Sequence, residues 1–215
     1  MSSHDTPLLL GASPEEALVH CVFIHGRTQS PEDMQELVIS KLKSTAGVAF
    51  VLPRARGNSW YAARATDALT RDTRHQVDQS VAHIRNLVAD LGHDRHHAKP
   101  LVLAGFSQGA CLALEYSMRH GPWSGAMASL TGCRVGTPAC DRPFADLDRL
   151  PVTLTGSDKD PWIPVDAFAG AASELARARA RLHCDVIPDR AHEVSPREIT
   201  RLDAILADMA RRDWW

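Results

Sequence analysis

Residues 101–111 read LVLAGFSQGAC, an aliphatic run that ends in Gly105-x-Ser107-x-Gly109 and passes at once into a segment with helical spacing. A strand that turns directly into a helix leaves the serine on the turn between them. Glycines on either side let strand and helix close together beneath it. Two local readings compete, a serine-capped structural junction and the seat of a nucleophile. A five-residue pattern with three fixed positions arises by chance, so partners elsewhere in the chain must separate them.

The surroundings of this stretch favour a parallel sheet. Short runs rich in valine and leucine, at 18–24, 48–52, 101–105, 126–130, 152–156 and 183–187, alternate with longer helical patterns. Most are too continuously apolar for a sheet with one wet face, so helices are expected on both faces. Over 74–91, Val77, Val81, Ile84, Val88 and Leu91 recur at three- and four-residue steps and make one apolar stripe, which Gly92 ends. Ser30-Pro31 and Ser195-Pro196 read as helix starts with proline in the first turn. Glu198 completes a capping box that Asp33 only approximates. Further helices are expected at 108–119, 164–180 and 196–211, while Ser13-Pro14 reads as a turn. The long irregular stretches 53–74 and 131–150 are of a length that is often functional.

Composition narrows the function classes. At 215 residues with 44% hydrophobic content the chain can bury one substantial core, and a single domain over 1–215 is expected, with 1–17 as an extension or edge segment. The net charge of -2 gives no reason to expect nucleic acid or an anionic membrane as partner. The N-terminal stretch has no basic residue before Leu8–Leu10, and three leucines are too few for a signal peptide. No run approaches the roughly 18 apolar residues of a membrane span. A soluble, cytoplasmic protein without stable membrane association is expected. Its five cysteines are an odd number without a C-x-x-C pair, which suits reduced thiols.

A serine hydroxyl is a poor nucleophile until a histidine takes its proton, and that histidine needs an acid to orient it and stabilise its cation. In a strand-turn-helix setting of this kind the chain order is serine, acid, histidine. His183 and His192 lie in the last third of the chain. His183 falls inside an expected strand, whereas His192 falls in the loop PDRAHEV, from which it can reach back across the sheet edge. The acid belongs to the loop TGSDKDPWIP. It holds Asp158 and Asp160, and Asp160, followed by proline and leading into a helix, is preferred. A tetrahedral intermediate also needs N–H donors for its oxyanion. The backbone of Gln108 supplies one. The loop FIHGRTQSPEDM supplies a second candidate at Arg27, with Gly26 allowing a close turn, while His25 reads as a loop-ordering residue.

Taken together, FIHGRTQSPEDM, LPRARGNSWY, LAGFSQGACLAL, TGSDKDPWIP and AHEVSPREI resemble the phospholipase/carboxylesterase family of α/β-hydrolases, which includes the acyl-protein thioesterases. The resemblance runs in order from about 18 to 211. It implies an α/β-hydrolase fold, a mostly parallel central sheet with helices on both faces and little or no lid. It implies Ser107, Asp160 and His192 as catalytic residues, Arg27 and Gln108 as oxyanion donors, no cofactor and, as in several relatives, a possible homodimer. Arg27-Thr28-Gln29 stands where acyl-protein thioesterases have leucine and a glycine-rich continuation. That places the chain nearer the bacterial esterases and favours a small soluble ester as substrate. Thioesterase or lysophospholipase activity is the alternative, and a non-catalytic binding protein the different class. Trp60, Tyr61 and Trp162 are candidates to line an acyl or aryl pocket. The run His93-Asp94-Arg95-His96-His97 reads as a solvated loop rather than a metal site. Trp214 and Trp215 read as packing or dimer-contact residues.

Overall fold

The computed structural model describes residues 4–93 and 99–211. His96, His97, Trp214 and Trp215 lie outside the described residues. Seven strands, β1 (Asp5–Gly11), β2 (Val19–Ile24), β3 (Val48–Arg54), β4 (Leu101–Phe106), β5 (Gly125–Leu130), β6 (Pro151–Gly156) and β7 (Arg181–Val186), make one sheet in the order β1-β3-β2-β4-β5-β6-β7. β1 runs antiparallel to β3, and every other pairing is parallel.

The apolar runs behave as their composition demands. Every residue of β2, β4 and β5 is buried. Alternate side chains feed two separate cores, with Val22, Ile24, Leu101 and Leu103 on one face and Cys21, Phe23, Val102 and Ala104 on the other. The first face is covered by α2 (Arg71–Asp90), α3 (Gln108–His120) and α4 (Val165–Arg177), the second by α1 (Pro31–Leu37) and α5 (Pro196–Arg211).

β1 makes an edge strand of the stretch expected as an extension or edge segment, with a half-exposed pattern. Two helix starts differ from expectation. The box at Ser30 is complete, because the Asp33 carboxylate accepts the Ser30 N–H at 2.7 Å while Ser30 Oγ accepts the Asp33 N–H at 3.2 Å. α2 begins at Arg71 under a Thr70–Thr73 box, three residues before the expected stretch 74–91.

The order also places the site. β2 lies between β3 and β4, so the chain steps from β2 to β3 on one side and then crosses back to β4 on the other, and a crevice opens beyond the carboxyl ends of these strands. The loops after β2, β4, β6 and β7 converge there.

Candidate active site

Ser107 sits between β4 and α3 with φ 55° and ψ −118°, a strained conformation for a residue with a Cβ. The turn survives because its neighbours lack side chains. A Cβ on Gly105 would lie 2.5 Å from the carbonyl carbon of Gly109, and one on Gly109 would lie 2.1 Å from the carbonyl oxygen of Ile24. The Ser107 N–H donates to Leu130 O on β5 at 3.0 Å, which fixes the elbow to the sheet and leaves the hydroxyl facing outward.

The structure brings Ser107, His192 and Asp160 together. Ser107 Oγ lies 2.8 Å from His192 Nε2, and His192 Nδ1 lies 2.7 Å from Asp160 Oδ2. The other Asp160 oxygen accepts the N–H groups of Trp162 and Ile163, each at 2.8 Å. Burial alone would raise the pKa of this carboxylate. The hydrogen bond from His192 and the two backbone N–H groups outweigh that effect and hold it below the usual value. Asp160 is therefore ionised and oriented, and its side chain is fully covered. Asp158 instead accepts the Asp189 N–H at 2.8 Å, latching the turn that carries the histidine loop.

That loop is held by a buried arginine which the sequence reading did not single out. Arg190 donates through Nη1 to the carbonyls of Ala191, at 3.0 Å, and Glu193, the residues flanking His192. Through Nη2 it donates to Thr131 Oγ1 at 2.6 Å. Its Nε stands 3.8 Å from Glu198 Oε2 with both side chains almost wholly enclosed. Glu198 in turn accepts from Ser195 N and Oγ at 2.7 and 2.8 Å and from Thr155 Oγ1 at 2.5 Å. The helix cap read at Ser195 is thus one corner of a network joining the ends of β5, β6 and α5 to the histidine.

The first loop approaches the serine closely. A Cβ on Gly26 would meet Ser107 Cβ at 3.2 Å and Gln29 Oε1 at 2.5 Å, so only glycine fits without displacing a neighbour. His25 is fully buried, with Nδ1 donating to Gly26 O at 2.7 Å and Nε2 accepting the Ala55 N–H at 3.1 Å. Burial lowers its pKa, in keeping with that neutral tautomer and its expected part in ordering the loop. Gln29 Oε1 accepts the Gly26 N–H at 3.1 Å. Among the described residues, the N–H groups of Arg27 and Gln108 donate to no protein acceptor.

Both of these residues also hold the segment 60–63 through their side chains, contacts that carry no signal in the sequence. Gln108 Oε1 accepts the Trp60 N–H at 2.9 Å and its Nε2 donates to Tyr61 O at 2.8 Å. The Arg27 guanidinium donates to the carbonyls of Tyr61, Ala62 and Ala63 at 3.0, 3.2 and 2.5 Å. Two residues of the elbow and first loop thus clamp the segment 60–63 from both sides.

This segment walls a cavity of about 500 Å³ that includes Ser107 and His192 in its lining, within the usual range for small-molecule sites. Tyr61 and Trp162 both line it. Trp60 does not, which corrects its candidacy. Its indole is 2% exposed, donates to His25 O at 2.9 Å and stacks near the His25 ring, so it packs beneath the loop. A tryptophan in a loop of this length gives no sign in sequence of which way it will turn.

A seven-stranded, mostly parallel sheet with a strained serine elbow at its carboxyl edge defines an α/β-hydrolase. Residues 11–209 match the family model described as Phospholipase/Carboxylesterase, and the chain belongs to that family. The solved phospholipase/carboxylesterase of Dyadobacter fermentans is similar to it at 26% identity, with a TM-score of 0.86 over 96% of this chain and 98% of that one. Zea mays acyl-protein thioesterase 2 shares the fold at 15% identity, with a TM-score of 0.73 over 95% of this chain and 98% of that one. NocK of Nocardia uniformis subsp. tsuyamanensis, provisionally named an esterase, is 28% identical over 152 residues, 70% of this chain. The matched part spans 42% of NocK's length, less than half of it.

Proposed function

We propose that the protein is a serine carboxylesterase that hydrolyses small carboxylic esters through an acyl-enzyme. The observation that carries this reading is the continuous path from Ser107 Oγ through His192 to Asp160, at 2.8 and 2.7 Å, opening on the cavity.

His192 Nε2 takes the hydroxyl proton as Ser107 Oγ bonds to the ester carbonyl carbon, and the carbonyl π electrons move to oxygen. Asp160 stabilises the imidazolium through Nδ1. The N–H groups of Arg27 and Gln108 hold the oxyanion, a contribution of roughly 10²–10³ in kcat per donor. As the tetrahedral intermediate collapses, the C–O bond to the alcohol breaks and His192 Nε2 gives its proton to the departing oxygen. Water then attacks the acyl-serine with His192 again as base, releasing the acid and restoring Ser107. Protonation of His192 removes the base, so the rate falls toward acidic pH.

The test is hydrolysis of 4-nitrophenyl esters of increasing acyl length, with acyl thioesters alongside and Ser107→Ala as the blank. Turnover of short esters by the wild type alone is expected. Equal turnover by Ser107→Ala would remove the serine mechanism, and turnover of thioesters alone would replace the ester reading.

A further inference from the structure

The cavity is charged in one sense only. Arg27 and Arg64 both line it, while no aspartate or glutamate among the described residues does. In a chain with 26 acidic and 24 basic residues such a lining is not a property of the surface at large. Asp160, the carboxylate nearest the chemistry, is fully covered and partnered by His192. Asp67 accepts the backbone N–H of Arg64 at 2.9 Å but forms no ion pair with its guanidinium.

The two arginines differ in a useful way. Arg27 is fixed by three carbonyl oxygens, which orient a guanidinium without cancelling its charge. Arg64 is exposed, and its guanidinium has no hydrogen-bond or ion-pair partner among the described residues. One cation is therefore held in place and the other is free to close on a ligand. An apolar wall that includes Tyr61, Ala63, Trp162 and Ile163 accompanies them.

Resting on the ester-hydrolase reading above, we propose that the preferred substrate is a small ester that also carries a carboxylate, which Arg64 and the field of Arg27 hold while Ser107 attacks the ester carbonyl. The carboxylate takes no part in the bond changes and is bound equally before and during them. The preference therefore belongs in KM rather than kcat.

Two matched pairs test this without assuming which side of the ester bears the charge. The 4-nitrophenyl monoester of adipic acid is compared with 4-nitrophenyl hexanoate, and 3-acetoxybenzoate with methyl 3-acetoxybenzoate. In at least one pair the anionic member is expected to have a KM about tenfold lower, the size of one charge interaction at a partly exposed site, with the advantage shrinking at about 1 M salt. Arg64→Gln is expected to reduce the anionic-to-neutral ratio of kcat/KM at least threefold. Equal or weaker use of the anionic member in both pairs would overturn the proposal while leaving ester hydrolysis standing, as would a ratio that Arg64→Gln does not change. Failure of wild type to exceed Ser107→Ala on all four esters would instead remove the ester-hydrolase reading on which it rests.

Discussion

Replacing Arg190 by methionine tests how the histidine loop is held. The side chains of Arg190 and Glu198 are 3% and 1% exposed, with Nε and Oε2 at 3.8 Å. Unit charges at that separation attract by about 4 kcal/mol at an effective dielectric near 20. This agrees with the roughly 3–5 kcal/mol lost when one partner of a buried pair is removed. Methionine keeps most of the apolar stem, so the loss is chiefly electrostatic. Arg190→Met is expected to destabilise the fold by about 4 kcal/mol, or about 8–16 °C in Tm for a chain of this size. The carbonyls of Ala191 and Glu193 lose their shared donor. Displacement of His192 by about 1 Å would lower kcat by up to about 10²-fold even where the variant is fully folded. Denaturant unfolding of wild type, Arg190→Met, Glu198→Gln and the double variant isolates the coupling. The double variant should be more stable than Arg190→Met, because it no longer buries an unmatched carboxylate. Additivity of the two single effects within about 0.5 kcal/mol would refute the reasoning.

Gly26→Ala should lower kcat by roughly 10²–10³ through displacement of the Arg27 donor, with little loss of stability; unchanged kcat in steady-state assays would mean that the loop tolerates the methyl group. Trp60→Ala should destabilise the protein by about 3–5 kcal/mol, whereas Trp162→Ala, at 59% exposure on the cavity wall, should raise KM and leave Tm nearly unchanged. Calorimetry and ester kinetics on the pair would expose a reversed assignment. For Asp203, burial pushes the pKa up, but the N–H groups of Ser44 and Lys43 and the Ser44 hydroxyl outweigh it and leave the carboxylate below its ordinary value. A carboxylate lowered in the folded state stabilises the fold above its unfolded pKa of about 4, and that contribution is lost as pH falls through the lower folded value. Asp203→Asn should therefore lose less stability than wild type between about pH 5 and pH 3 in urea titrations; parallel losses would contradict this.

The sheet was legible because most of its strands are short, largely apolar runs, and in the central strands that continuity itself implies helices on both faces. β1 was harder to read. Its three leucines are a short run between Pro7 and Gly11, and its pairing with β3 rests on backbone bonds at an edge, which leave little imprint on side-chain choice. The positions of Ser107, Asp160 and His192 could be read because each follows a strand in a fixed chain order. Arg190 and Gln29 could not, since a buried arginine reaching backbone carbonyls and a glutamine reaching an N–H look like surface residues in sequence. Trp60 and Trp162, similar as letters in loops, part company only when the loops are packed.

Arg27 and Gln108 each grip residues 60–63 with the side chain, while their backbone N–H groups donate to no acceptor among the described residues. On the proposed mechanism, the cavity wall and the donors to the oxyanion are therefore one mechanical part. Reshaping 60–63 to admit a different substrate would pull on both donors at once, so selectivity and speed cannot be varied separately along this wall. Changes confined to Trp162, on the opposite loop, escape that linkage and leave the donors where they are.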